Sequence, residues 1–398
     1  MNDRRHLVRF AVAALIAAVT AAGTLSGSAA AEKAPVNVGL IASKTGLLGA
    51  YGVEYSEAFR VGLDYATHGT GLAGGHKIVV SEVDDATDPA KSVAAAKDLI
   101  GQQYKIILSV GSSASALQLA PLAKENNVLY ISGGAASDAI TGINRNTFRS
   151  GRQTFQDVVA VGAYLGSNLR GKHVLVLAQD SVFGGANVAI ARSVLGGAEG
   201  AAVSGLLVPL QANDFTPFAQ KVVDAKPDLL YIAWAGATGG ALVKSLEDAN
   251  VFAATPVVTG LDQRAGFPLF GMAGTRIKFI SHYVPEAPHN KVNDFLIAAL
   301  KKNGKVPEVF AEDGFAAAEM VVHAIETADG DDPQKLITAL EGWSFVAPKG
   351  DLQIRAADHA MLQPMFLARL VKNGDIFEPV LVRALPPPML APPVKAFK

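Results

Sequence analysis

The sequence predicts an α/β protein built as two doubly wound lobes, and three observations carry that expectation. Short apolar runs suited to buried strands alternate with helical segments from Val36 onward. The alternation pauses at TFRSGRQTF and then restarts, as a second lobe requires. The loops after Ile41, Val110 and Ile131 all lie at strand carboxyl ends, the edge where open α/β sheets bind ligands.

Composition sets the limits. The chain has 398 residues, 50% hydrophobic and 18% charged, which allows a large core divided among domains. A formal net charge of -1, with Lys and Arg scattered, argues against a nucleic-acid partner. With Cys 0 there is no disulfide framework, thiol nucleophile, zinc thiolate site or lipid-modified cysteine.

Arg4, Arg5 and Arg9 precede an apolar run from Phe10 to Leu25, and Ala29-Ala30-Ala31 supplies small residues for cleavage. Residues 1–31 therefore read as a secretory signal peptide, with an uncleaved membrane anchor as the alternative. Arg4-Arg5 only faintly resembles a twin-arginine signal. The mature protein is expected to be exported and free in the periplasm.

The first lobe begins with a strand over Val36–Ile41. A helix carrying Ala58, Phe59, Val61, Gly62 and Tyr65 on one face follows, then a strand over Lys77–Val83. The acidic run from Asp84 to Asp88 lacks the spaced ligands of a calcium loop; Asp88 with Pro89 reads instead as an N-cap and first helical residue. Lys105–Val110 is a buried strand, and Ser112, Ser113 and Ser115 stand where the next helix is capped. Free N–H groups and hydroxyls there suit an anion, although capping alone explains the serines equally well. Val128–Ser132 is the next strand, before the small-residue turn Gly133–Ser137.

In the second lobe the strands are Val174–Ala178, Ala202–Leu207, Asp228–Ala233, Val257–Val258 and Ile277–Ser281. Helices are expected over Asn187–Leu195, Phe215–Ala225 and Ala241–Asp248, then over Val292–Asn303, Asp313–Thr327 and Pro333–Leu340. The tail after Leu385 is Pro-rich and expected to be disordered.

Two motifs are refused on context. Gly69–Gly74 fits G-x-G-x-x-G but follows a helix and precedes a strand, the reverse of a dinucleotide site. Gly166–His173 approaches a P-loop, yet His173 replaces the magnesium-binding hydroxyl. No G-x-S-x-G or H-E-x-x-H occurs in the mature chain. The histidines are isolated, so neither a metal nor a cofactor is expected. His282 beside Tyr283 is noted, with an ordinary hinge or surface histidine as its plain reading.

Together the segments VNVGLIASKTGLLGAYG, VVSEVDDATDP, SVGSSASALQLAPLAKENNVLYISGGAASDAITG, NTFRS, DSVFG and FAEDGFAAAEMVVHAI resemble, in order and spacing, the periplasmic binding proteins of the leucine/isoleucine/valine type that serve ATP-driven (ABC) importers. That resemblance implies the type I binding-protein fold, with a hinge of three crossings, a small ligand in the interlobe cleft and docking on membrane permease subunits. It places lobe I at 34–151 and 285–363, lobe II at 152–284 and 364–385, and the tail at 386–398. It implies first-lobe contacts from Tyr51, from Ser112 or Ser113, and from backbone and hydroxyl groups of Gly134, Ala135, Ala136 and Ser137, with the register open by one residue at Ala136/Ser137. Second-lobe contacts fall on Phe183, on Trp234 or its neighbour Ala235, and on Asp262. Phe310 is the last. Asp262 stands where amino-acid binders commonly have a glutamate.

The residue chemistry agrees with these roles. The serine-capped helix terminus suits a carboxylate, Asp262 suits an ammonium, and the aromatics suit apolar walls. The expected function is capture of an amino acid or related amine-bearing carboxylate for import, by a monomer. A sensory protein of the same fold, or a receptor for an aromatic or aliphatic carboxylate or amide, is the alternative. A hydrolase using Ser113 or Asp262 is poorly supported, since no base or oxyanion constellation accompanies either.

Overall fold

The structure, a computed structural model, describes residues 33–166, 169–198 and 200–397; the expected signal peptide lies outside the described residues. Strands β1 (Lys33–Ala42), β2 (Leu72–Ala73), β3 (His76–Asp84), β4 (Ile106–Val110), β5 (Leu129–Gly133) and β6 (Thr147–Arg149) form one sheet in the order β2-β3-β1-β4-β5-β6. β1, β4, β5 and β6 pair in parallel. All five residues of β4, Ile-Ile-Leu-Ser-Val, are buried, as a parallel strand covered on both faces demands. Helices α1 (Gly49–Ala66), α2 (Pro89–Gly101) and α3 (Ser113–Glu125) connect these strands. Asp88 accepts a hydrogen bond from the Ala90 N–H with Pro89 in the first turn, so the acidic run is a helix cap as expected.

After α4 (Thr154–Leu165) come β7 (His173–Asp180), α5 (Val182–Ala191), β8 (Ala202–Pro209), α6 (Thr216–Ala225), β9 (Leu229–Ala233), α7 (Gly239–Asp248), α8 (Val251–Ala254), β10 (Val257–Gly260) and β11 (Lys278–Ser281). β8, β7, β9, β10 and β11 are parallel neighbours. In each sheet the chain turns both ways from its first strand, so a switch point lies between β1 and β4 and another between β7 and β9. Crevices at strand carboxyl ends form there.

α9 (Lys291–Lys301), α10 (Ala311–Ala328) and α11 (Pro333–Leu340) return to the first lobe, where Ala316, Val321, Leu336 and Leu340 share a core with Val38, Leu40 and Leu108. A small antiparallel sheet, β12 (Ser344–Ala347), β13 (Gly350–Ile354) and β14 (Met361–Leu362), packs on that core. The chain thus crosses between the lobes three times: between β6 and α4, after β11, and between β14 and β15 (Met365–Asn373).

The second sheet departs from a purely parallel pattern. β15 lies antiparallel to β11, and β16 (Ile376–Leu385) antiparallel to β15. This edge hairpin closes over Gly374–Asp375, a two-residue turn between apolar runs of the kind that favours hairpins. The expectation for the tail is also corrected. Pro387–Leu390 forms α12, Leu390 is fully buried, and Lys395 and Phe397 make side-chain contacts with the fold. Pro-rich composition lowers the entropy lost on docking, so apolar and polar anchors suffice to hold the segment.

Candidate functional site

A cavity of about 600 Å³ lies between the lobes, lined by the loops that follow β4, β5, β7, β9 and β10. Its walls include every expected site residue except Ser137.

On the first lobe, Ser112 caps α3 by accepting the Ser115 N–H at 3.0 Å. The N–H groups of Ser113 and Ala114 point out of the first turn with no acceptor among the described residues. Ser113 Oγ accepts the Ser137 N–H at 3.2 Å, so of the pair Ala136 and Ser137 it is Ala136 that lines the cavity. The turn tucks Ser137 behind the wall, where its carbonyl accepts from Arg149. Gly134, Ala135 and Ala136 do line the cavity. Tyr51 and Phe310 form one aromatic wall, their ring centroids 4.4 Å apart. Glu54 on α1 holds Phe310 in place by accepting the N–H groups of Phe310 and Ala311 at 2.6 and 2.7 Å, a carboxylate at the N-terminus of α10.

On the second lobe Phe183 projects from the first turn of α5, and Trp234 follows β9. Trp234 Nε1 donates to Thr238, and its ring meets Phe215 edge-on. Gln179 at the end of β7 clamps the Ala235 backbone, donating to its carbonyl at 3.0 Å and accepting its N–H at 3.2 Å. Asp262 follows β10. Its Oδ1 accepts from the Gln263 N–H at 2.8 Å and from Tyr51 Oη at 3.1 Å. Asp262 Oδ2 takes no hydrogen bond from the described residues. Burial raises the Asp262 carboxyl, opposed by these two bonds; burial and the Asp262 charge raise the Tyr51 phenol well above its ordinary value.

The cavity also takes residues that sequence reasoning missed. Arg152, in the first crossing, donates to Gly134 O at 3.1 Å and to Asp157 at 3.3 Å, and its guanidinium lies 5.7 Å from the Phe310 centroid. Burial opposes its charge, but Asp157 and Asp313 outweigh that and raise its pKa. Tyr231, Leu269 and Phe270 complete the wall. His282 lines the cavity too; burial pushes its pKa down to about 3, so it is a neutral ring at neutral pH. The signal for Gln179 and Arg152 was present: one ends a switch-point strand, the other sits in the TFRSGRQTF restart.

The lobes are in contact across the cleft. Tyr51 Oη accepts the Gly236 N–H at 2.9 Å, and Leu47 O accepts the Ala237 N–H at 2.9 Å. Gln263 Nε2 donates to Glu54 at 3.2 Å, and the Arg264 N–H donates to Glu308 at 3.1 Å. Such a site can enclose a small molecule, offering N–H donors on one lobe and a carboxylate oxygen on the other.

Comparison with known proteins agrees with this architecture. The family model described as "Periplasmic binding protein" matches residues 35–375. The chain is 25% identical over 319 residues to a Leu/Ile/Val-binding protein homolog of Brucella melitensis, covering 80% of this chain and 86% of that protein. It is 32% identical to the crystal structure of an ABC-type branched-chain amino acid transporter from Rhodopseudomonas palustris CGA009, with TM-score 0.74 over 91% of this chain and 100% of that one. A solute-binding protein of an ABC transporter from R. palustris BisB5, solved with 3,4-dihydroxybenzoic acid, is 25% identical with TM-score 0.80, covering 88% and 97%. This chain therefore belongs to the periplasmic binding protein family.

Proposed function

We propose that this protein is an extracytoplasmic receptor that captures an amino acid or related amine-bearing carboxylate in the interlobe cavity and delivers it to the permease of an ABC importer. One observation carries the reading. Unoccupied N–H donors at the start of α3 line the same cavity as the free Oδ2 of Asp262 on the other lobe. A ligand carboxylate suits the first and its ammonium the second, since a charge enclosed without a partner is costly. Tyr51, Phe183, Trp234 and Phe310 supply an apolar surround for the side chain. In this reading the leader at 1–31 directs export, the ligand is bound without chemical change by a monomer, and the lobe boundaries fall near Gly151, Val284 and Pro364.

A thermal-shift screen of amino acids against their deaminated analogues tests it, on wild type and Asp262→Asn. An amine-bearing ligand at 100 times its Kd stabilises the folded state by about 2.7 kcal/mol. That stabilisation is expected for wild type and lost in Asp262→Asn. Stabilisation by deaminated acids alone contradicts it.

A second reading has its own support. The walls are strongly aromatic, and a ligand's phenolic hydroxyl can donate to the free Oδ2 of Asp262 as an ammonium would. The relative solved with 3,4-dihydroxybenzoic acid is of that ligand class. Hydroxybenzoates in the same screen separate the two.

A further inference from the structure

Beyond the three crossings of the main body, the tail carries the chain from the second lobe back to the first once more. It leaves the second sheet at the end of β16 and buries Leu390 in the second-lobe core beside Val158 and Met365. It then runs onto the first lobe. Pro392 O accepts from Arg355 at 2.8 Å, and the Lys395 N–H donates to Asp358 at 3.0 Å. Lys395 Nζ donates to Asp138 O at 2.6 Å. Phe397 meets the buried His359 ring edge-on at 4.7 Å, and His359 itself stacks on Phe148 of β6 at 3.7 Å. Gly142 fits the tail closely: with φ +72, a Cβ there would lie 2.6 Å from Lys395 O, so only glycine leaves room.

We propose that residues 386–397 form a strap that restrains opening of the lobes and braces the ligand loop from behind. Asp138, which Lys395 holds, also accepts from Gln153 and the Phe155 N–H in the first crossing, while Leu390 sits beside Met365 just past the third. The strap therefore joins the hinge at two of its crossings, and separating the lobes pulls its two anchors apart. The loop it braces carries Gly134, Ala135 and Ala136 of the cavity wall. The strap lies beyond residues 35–375, which the family model matches.

The test needs no ligand, so it is independent of the proposed function. The chain has Cys 0, so Lys97→Cys on α2 and Glu247→Cys on α7, both exposed, give one unique spin-label pair across the lobes. Pulsed electron-electron distances are measured on the full chain and on a chain stopped after Ala391, which keeps Leu390 in place. Loss of four hydrogen bonds and a ring contact should raise the ratio of long to short separations by about tenfold or more. Lys395→Met with Phe397→Ala should shift it the same way, and this pair alone is measured if the shortened chain does not fold. Distances unchanged in the variants, with or without a lower melting temperature, overturn the strap.

Discussion

Asp262 and Tyr51 divide their bonding capacity between the lobes and the cavity, and that division sets what each substitution should do. Tyr51 Oη spends its proton on Asp262 and accepts from Gly236, so it acts as a closing contact as much as a wall. Gly236 is the sharper probe. Its φ is +80, and a Cβ there would lie 2.2 Å from Leu47 O on the opposite lobe; that clash exists only when the lobes meet. Gly236→Ala should weaken binding of the best-stabilising amino acid at least tenfold. The backbone conformation itself costs about 1–2 kcal/mol for a non-glycine residue, so the melting temperature falls only modestly. Calorimetry and thermal unfolding measured together decide it; equal affinity for both proteins rules out this closed contact. At this scale the sequence was readable where chemistry is local. Ser112 as a cap and Asp88 as a cap follow from their neighbours, whereas the choice between Ala136 and Ser137 was not legible, because the burial of Ser137 is set by the bond to Ser113, a pairing 24 residues apart.

Among the elements, the segment after β10 carries the closing contacts in succession, Asp262, Gln263 and Arg264 each bonding across the cleft. Glu308 accepts the Arg264 N–H, and burial pushes its carboxyl up to about 7 from an ordinary 4.5, helped by Asp262 and Glu286 and opposed by Arg264; Glu54 also faces it. A group whose pKa rises on closure binds more protons in the closed form. Closure is therefore favoured fully below about 4.5 and loses that advantage as pH rises to about 7, by up to about tenfold per pH unit. With the Lys97/Glu247 label pair, the closed fraction of ligand-free wild type should fall over that window. Glu308→Gln should flatten the trend; an equal slope in both proteins shows that Glu308 does not gate closure. The parallel strands were legible because each is a short apolar run between turns. The β15–β16 hairpin was not, since β16 is mostly exposed and carries Pro379 within it, which argues against a strand when read from sequence. The tail's Pro content pointed to disorder, because its anchors, Asp138, Asp358 and His359, are distant in sequence.

For the whole molecule, the hinge is where the charges are buried. Lys349 Nζ lies 2.5 Å from Glu312 and 2.6 Å from Gln363, and Asp313 stands 3.4 Å from the same ammonium. Breaking such a cluster leaves uncompensated buried charge, so it fixes the geometry of the crossings while the strap limits their swing. Neither was foreseeable from composition, because Lys349, Glu312 and Gln363 meet only through the return of the chain to the first lobe. What the fold then presents is a cavity between the lobes with N–H donors of α3 on one side and Asp262 Oδ2 on the other, none of them hydrogen-bonded to the described residues. The most direct test is a crystal structure of the protein with the amino acid that stabilises it most. The account predicts closed lobes, the ligand carboxylate on the Ser113 and Ala114 N–H groups, and its ammonium within about 3 Å of Asp262 Oδ2. A ligand seated in the cleft with no amine near Asp262, its carboxylate held by Arg152 instead, would contradict it.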